Sequence, residues 1–310
     1  MEVFHLQAGQ NPVYRAFLHY LGVNPTNITQ IHQVPFMPVE FFKQHRIATG
    51  NWEEKEVFTS SGTTGMRVSQ HFIEDPGFYL RHSLQIFESF YGAVTDYHIL
   101  ALLPGYLERE GSSLIAMVQY FIERSEDSHG GFFLHNHDEL RERITWLSQN
   151  SDRKILLLGV SFALLDFAEE GDIPELNNLI VMETGGMKGR RKEILREELH
   201  ETLCKAFHVT EIHSEYGMTE CLSQSYSKGG GIFRMPFSMR IYLRDANDPL
   251  DSSNEVSRGA INIIDLANVH SCSFLQVGDL AEKTANGFRV LGRMDNSDVR
   301  GCNLMVQSSF

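Results

Sequence analysis

The chain has 310 residues, 42% of them hydrophobic and 22% charged, with a formal net charge of −13. A nucleic-acid surface would be basic, so this balance excludes that class, and any site for an anionic ligand has to be locally positive. No apolar run reaches the roughly 18 residues of a membrane helix, the first residues lack a leader pattern, and Cys204, Cys221, Cys272 and Cys302 show no metal or disulfide spacing.

Residues 11–22 have helical periodicity that ends at Gly22, and Val57-Phe58 reads as a strand. Directly after it, Thr59-Ser60-Ser61-Gly62-Thr63-Thr64-Gly65 has little apolar area to bury. Gly62 and Gly65 let the backbone turn with amide hydrogens inward, while the hydroxyls of Thr59, Ser60, Ser61, Thr63 and Thr64 add donors, a surface suited to a polyphosphate. No Gly-Lys-Ser/Thr follows, which excludes a Walker loop, and a plain flexible loop is the alternative.

From Tyr97 to Ile212 strand and helix patterns alternate. Strands are predicted at 97–103, 154–158, 179–182 and 209–213, and helices at 112–122, 138–149 and 190–207. This predicts a layered α/β domain with a largely parallel sheet and its chemistry in the loops after the strand C-termini. Glu183–Gly189 and Ser214–Glu220 are two such loops. The second brings together a ring (Tyr216), a turn (Gly217), a hydroxyl (Thr219) and a carboxylate (Glu220), the groups that stack a purine, touch a phosphate and hold Mg²⁺ through oxygen. Beyond Gly229-Gly230-Gly231 the pattern changes to short strands at 238–244, 260–264, 274–277 and 288–291, predicting a smaller antiparallel sheet. Gly278-Asp279 precedes a hairpin turning at Ala285-Asn286-Gly287, and Gly292-Arg293-Met294-Asp295 follows it. The predicted division is 1–231 for the layered part, 232–295 for the β-subdomain and 296–310 for a short tail carrying Cys302.

In this order, the 59–65 loop, the Tyr216–Glu220 segment and the Asp279 and Arg293 segments resemble the adenylate-forming superfamily of acyl- and aryl-CoA ligases, luciferases and peptide-synthetase adenylation domains. Within it, the chain is most similar to the acyl-protein synthetases of bacterial bioluminescence and to phenylacetate-CoA-ligase-like proteins. Val34-Pro35-Phe36-Met37-Pro38-Val39-Glu40-Phe41-Phe42-Lys43, Glu183-Thr184-Gly185-Gly186-Met187-Lys188-Gly189-Arg190-Arg191 and the tail at Arg300-Gly301-Cys302-Asn303 carry that likeness. The resemblance implies an N-terminal-type adenylating domain whose mobile C-terminal domain, with its lysine, is absent after the hinge position Asp295. Two departures stand out. Met66-Arg67 replaces the lysine usually found after the phosphate loop, and Gly105-Tyr106 replaces the histidine that commonly follows Leu-Pro.

The resemblance further implies ATP and Mg²⁺ as cofactors, a carboxylic acid, fatty or aryl, as substrate, and a protein thiol or CoA as acceptor. Residues 59–65 would hold the β- and γ-phosphates, Thr219 the α-phosphate and Glu220 the metal. Tyr216 would stack on adenine with Gly185 and Gly186 close to the purine, Asp279 would accept from the ribose hydroxyls, and Arg293 would contact ribose or phosphate. Arg67, Lys188, Arg190, Arg191 and Arg293 are candidates for the local positive charge, and Lys188, Arg67 or Arg293, or a partner, for the charge of the missing catalytic lysine. Cys302 is the expected acyl acceptor, with Cys221 a weaker alternative, and Phe36, Phe41, Phe132, Phe133 and Tyr106 are candidate acyl-pocket residues. The chain is expected to be a cytoplasmic acid–thiol ligase. A non-catalytic nucleotide- or acyl-binding subunit is the alternative from a different class.

Overall fold

Lys154-Ile155-Leu156-Leu157-Leu158-Gly159-Val160 offers no polar face, so the strand it forms has to be covered on both sides. The computed structural model, which describes residues 1–60, 67–104, 111–171, 173–186, 191, 194–248, 250 and 256–294, buries every residue of this strand after Lys154. In chain order the elements are α1 (Glu2–Gln10), α2 (Pro12–Tyr20), β1 (Met37–Pro38), β2 (Glu56–Thr59), β3 (Gln70–Ile73), α3 (Pro76–Tyr91), β4 (Tyr97–Leu102), α4 (Ser113–Arg124), β5 (Gly131–Phe133), α5 (His137–Asn150), β6 (Lys154–Val160), α6 (Ser161–Glu169) and β7 (Leu179–Thr184). They continue with α7 (Arg196–Phe207), β8 (His213–Tyr216), β9 (Ser225–Ser227), β10 (Ile232–Phe233), β11 (Met239–Arg244), β12 (Arg258–Asp265), β13 (Phe274–Thr284) and β14 (Gly287–Arg293).

One sheet has the order β5-β4-β6-β7-β8-β9 and is parallel except for β9. The chain leaves β4 toward β5 on one side and continues through β6, β7 and β8 on the other. A sheet of this order opens its crevice beyond the carboxyl ends of its strands. The second sheet, β10-β14-β13-β12-β11, is antiparallel, with β1 added in parallel through Met37↔Leu275. β2 and β3 form a separate hairpin.

Each sheet has its own core. Helix α3 turns Tyr79, His82, Ser83, Ile86, Phe87 and Tyr91 inward at three- and four-residue steps, and its apolar members pack on the parallel sheet. The second core joins β11–β14 to Phe4, Tyr14, Leu18, Met37, Phe42 and Ile47. The first 47 residues thus cover the sheet formed by residues 232–293. Buried polar residues fasten this cover. Gln7 Nε2 donates to the Asn268 carbonyl at 3.0 Å and its Oε1 accepts from Ser273 N at 2.9 Å. Asn11 caps α2, accepting from Val13 N and Tyr14 N at 3.1 and 3.0 Å, and donates to the Ser271 carbonyl at 2.8 Å. Asn11→Ala removes a helix cap and strands buried partners together, so it should cost about 2 kcal/mol of stability, measured by urea unfolding.

Two sequence expectations are corrected. Residues 209–212 are not a strand but the connection after α7, which closes at His208 in the left-handed region (φ 55), so β8 runs from His213 to Tyr216. Helix α7 begins at Arg196, with extended Leu195 as its N-cap, rather than near 190. Phe36 and Phe41 lie with the second core while Phe132 and Phe133 lie with the first. Tyr106 lies outside the described residues.

Candidate active site

The carboxyl edge of the parallel sheet is where the sequence motifs meet. β7 ends at Thr184 and passes into Gly185, whose φ of 70° is the left-handed conformation that glycine adopts without strain. β8 ends at Tyr216, whose hydroxyl crosses to the second sheet and donates to Asp279 Oδ2 at 2.8 Å. Burial first, and then the Asp279 carboxylate, push this phenol well above its ordinary pKa, so it is a neutral donor. The other oxygen of Asp279 accepts from Arg293 Nε at 3.0 Å, because the β13–β14 hairpin pairs these two residues directly. Asp279 is 8% exposed while the Arg293 side chain is 79% exposed, so the aspartate is held and the guanidinium reaches solvent.

Thr219 and Glu220 follow Tyr216 in a turn that the rest of the fold grips. His71 Nδ1–H donates to the Thr219 carbonyl at 2.8 Å, which leaves Nε2 to accept from Ser271 Oγ at 2.9 Å. Burial lowers the His71 pKa to about 4, so the ring is neutral in this role. Asn268 Nδ2 donates to the Glu220 carbonyl at 2.7 Å, and Asp265 accepts from Leu222 N and Ser223 N, each at 2.9 Å. The Glu220 carboxyl is buried, which raises its pKa, while the Ser69 hydroxyl, its own backbone amide, Arg293 and Lys43 pull the other way.

Ser69 also closes the base of the Ser/Thr/Gly loop. Ser60 N donates to the Ser69 carbonyl at 3.1 Å, and Ser69 N donates to Ser60 Oγ at 2.9 Å. The base of the loop thus lies beside the Glu220 carboxyl, whose pKa the Ser69 side chain lowers. Ser61, Gly62, Thr63, Thr64 and Gly65 lie outside the described residues, as do Lys188, Arg190, Asp295 and Cys302.

Of the predicted cations, Arg293 stands at this edge, but Arg191 does not: its guanidinium pairs with Asp166 and Glu169 of α6. Lys43, His71, Ser69, Asp265 and Asn268 were not singled out by the sequence. A usable signal existed only for Lys43, which ends the Val34–Lys43 motif. Glu183 is likewise structural. Burial raises its pKa, but the Arg196 guanidinium together with His200 and Ser214 outweighs this and holds the carboxyl below its usual range.

Among solved structures, 2-hydroxyisobutyryl-CoA ligase in complex with 2-HIB-AMP is similar over 95% of this chain and 66% of its own, with a TM-score of 0.65 and 14% identity. McyG A-PCP complexed with phenylalanyl-adenylate is similar over 90% of this chain and 51% of its own (TM-score 0.52, 15% identity). O-succinylbenzoate coenzyme A synthetase from Bacillus subtilis gives 78% and 49% (TM-score 0.50, 15% identity). The chain therefore has the fold of the adenylate-forming enzymes, and spans 66% of the first of these structures and about half of the other two. No family model and no curated protein matches the sequence.

Proposed function

We propose that this chain activates a carboxylic acid with ATP and passes the acyl group to a thiol. One observation carries the reading: Ser69, bonded to Ser60 at the base of the 59–65 loop, lies beside Glu220, on the same turn that the Tyr216–Asp279 bond joins to the second sheet. An extended nucleotide would take a phosphate cradle, a buried carboxyl and a ribose-type acceptor in that order. The acid's carboxylate oxygen attacks the α-phosphorus, the bond to pyrophosphate breaks, and an acyl-adenylate forms. The protein's part is positioning and neutralisation of charge. Residues 59–65 hold the β- and γ-phosphates, Thr219 the α-phosphate, Gly185 and Gly186 the purine with Tyr216, and Asp279 and Arg293 the ribose side, while Lys188 and Lys43 are the cations assigned to the reacting phosphates.

Among the described residues no three His, Cys, Asp or Glu side chains form a metal-binding group. Mg²⁺ fits this site in the manner of a metal carried by the nucleotide, with Glu220 as its protein ligand and phosphates supplying most other oxygens. When bound, it neutralises charge on the triphosphate.

For the second half-reaction the described thiols are unsuited. Burial pushes Cys221 far above its ordinary pKa and Cys272 to about 12, and Cys204 is also raised. The nucleophile has to be a thiolate, which leaves Cys302 or an external thiol as acceptor. The likeness to a ligase crystallised with 2-HIB-AMP and CoA in its thioesterification state supports CoA as the second reading. Labelled acid incubated with ATP separates them. With Cys302 as acceptor, hydroxylamine-labile label stays on the denatured protein and disappears in Cys302→Ser while pyrophosphate exchange persists. Label absent from wild type but appearing on added CoA overturns the protein-thiol reading.

The ribose assignment has its own test. ATP should be used at least about fivefold better than 2′-deoxy-ATP, and Asp279→Ala should erase that preference, since an unmet buried acceptor costs about 1–3 kcal/mol. Tyr216→Phe, which leaves the carboxylate in place, should keep it. Equal use of both nucleotides by wild type removes Asp279 from this role.

A further inference from the structure

Thr184, Glu215 and Tyr226 are register partners across β7, β8 and β9, so their side chains form a row on one face of the parallel sheet. Tyr216, next along β8, faces the other way toward Asp279, so the row stands behind the proposed ribose acceptor at the same carboxyl edge. Thr184 Oγ1 donates to Glu215 Oε2 at 2.5 Å. Gln224 joins the group at Gly217. A Cβ on Gly217 would lie 2.4 Å from Glu215 Oε1 and 3.4 Å from Gln224 Cγ, so the bare glycine is what lets both side chains sit against the turn.

This row is polar, buried and incompletely bonded. Glu215 is 7% exposed, Gln224 3% and Tyr226 1%. Gln224 Nε2 donates to the Leu222 carbonyl at 3.2 Å, which fixes the amide orientation and leaves Oε1 without a partner. The Tyr226 hydroxyl is also buried without one. Groups of this kind are rare in folded proteins and destabilise them unless something else supplies the partner. The surroundings are aromatic: Phe87 and Tyr91 of α3 lie 6.2 and 5.5 Å from the Tyr226 ring. Tyr79 packs 5.0 Å from Phe58 of β2, and its hydroxyl feels the charges of both Glu215 and Glu56. Tyr79 therefore stands between the row and the strand that leads into the 59–65 loop.

We propose that Thr184, Glu215, Gln224 and Tyr226 form the distal end of the acid-binding site and take a hydrogen-bond-donating group, a hydroxyl or an ammonium, carried by the acid. This rests on the adenylation reading. Gln224 Oε1 is an acceptor, so it calls for a donor, and the Glu215 carboxyl and the Tyr226 hydroxyl complete the shell in either sense. An alkyl chain ending here would leave Gln224 Oε1 and the Tyr226 hydroxyl unpaired, and a site built of unmet polar groups discriminates strongly against such a ligand.

The experiment compares exchange of ATP with pyrophosphate driven by matched acids: hexanoate, 6-hydroxyhexanoate and 6-aminohexanoate, and benzoate with its 4-hydroxy and 4-amino forms. Thermal shift by each acid alone is the second readout. In wild type at least one polar acid should be preferred over its apolar isostere by tenfold or more in kcat/KM and should raise Tm. Gln224→Leu and Tyr226→Phe, each scored separately against wild type, should narrow that ratio to threefold or less. Preference for the hydroxy or for the amino acid tells which donor the row takes. Apolar acids used as well as their polar partners, or a ratio unchanged in both variants, overturn the proposal. Exchange with no acid overturns the adenylation reading instead, and the polar site then stands only if a polar acid raises Tm in wild type and not in the variants.

Discussion

Glu220→Ala should lower acid-dependent ATP–pyrophosphate exchange by about 10²–10³-fold, the loss that follows removal of one preorganised electrostatic contact. The folded state should be nearly unaffected. Burial already disfavours the ionised form of this carboxyl, so its removal relieves a cost while giving up its interaction with Ser69. The turn itself is held through its backbone, by His71 on the Thr219 carbonyl and Asn268 on the Glu220 carbonyl, and neither bond involves the deleted side chain. Glu220→Gln is the sharper variant, because it keeps a Ser69 partner and the side-chain volume but loses the charge. If Glu220 works through a cation, Gln should be nearly as inactive as Ala. Either variant within a few-fold of wild type takes Glu220 out of the site.

Glu215→Gln should stabilise the protein above pH 7 by about 3 kcal/mol, roughly a hundredfold in the folding constant, and leave it unchanged near pH 4. Burial raises the Glu215 pKa from 4.5 to about 7, with Glu183 adding to the rise and the Thr184 hydrogen bond opposing it. Between those values the native state keeps a proton that the unfolded chain has lost, so this group lowers stability as pH rises, with the full loss present above 7. His71 acts in the opposite sense. Its folded value is about 4 against 6.5, so across that window the unfolded state binds more protons and stability rises with pH. The two slopes oppose one another in wild type. Removing Glu215 should expose the histidine slope, and chemical unfolding of both proteins from pH 4 to 8.5 measures the difference. A constant gap across that range contradicts the assignment.

The layered sheet was legible because β4, β6 and β7 are apolar runs too short for anything but buried strands, and the hairpin at Asn286-Gly287 because its flanks alternate. Tyr216 and Asp279 were legible as separate motifs, but the 2.8 Å bond between them spans 63 residues and has no local signature. The same holds for His71, which touches residues 148 and 200 positions away, since a single histidine in a four-residue strand looks like any half-buried polar residue. Residues 209–212 misled because apolar alternation marks burial rather than pairing: Ile212 is fully buried in the connection before β8. The cover formed by α1 and α2 escaped for a related reason. Gln7 and Asn11 are polar, and their burial is set by carbonyls at 268 and 271.

Exchange of labelled pyrophosphate into ATP tests the central claim most directly, because it requires a reversible acyl-adenylate and no acceptor thiol. The purified chain, given ATP, Mg²⁺ and the panel of acids above, should exchange label only when an acid is present, and Glu220→Gln should abolish nearly all of it. Exchange that proceeds equally without acid, or is absent with every acid while ATP still binds, contradicts the account and leaves a nucleotide-binding protein in place of an acid-activating enzyme.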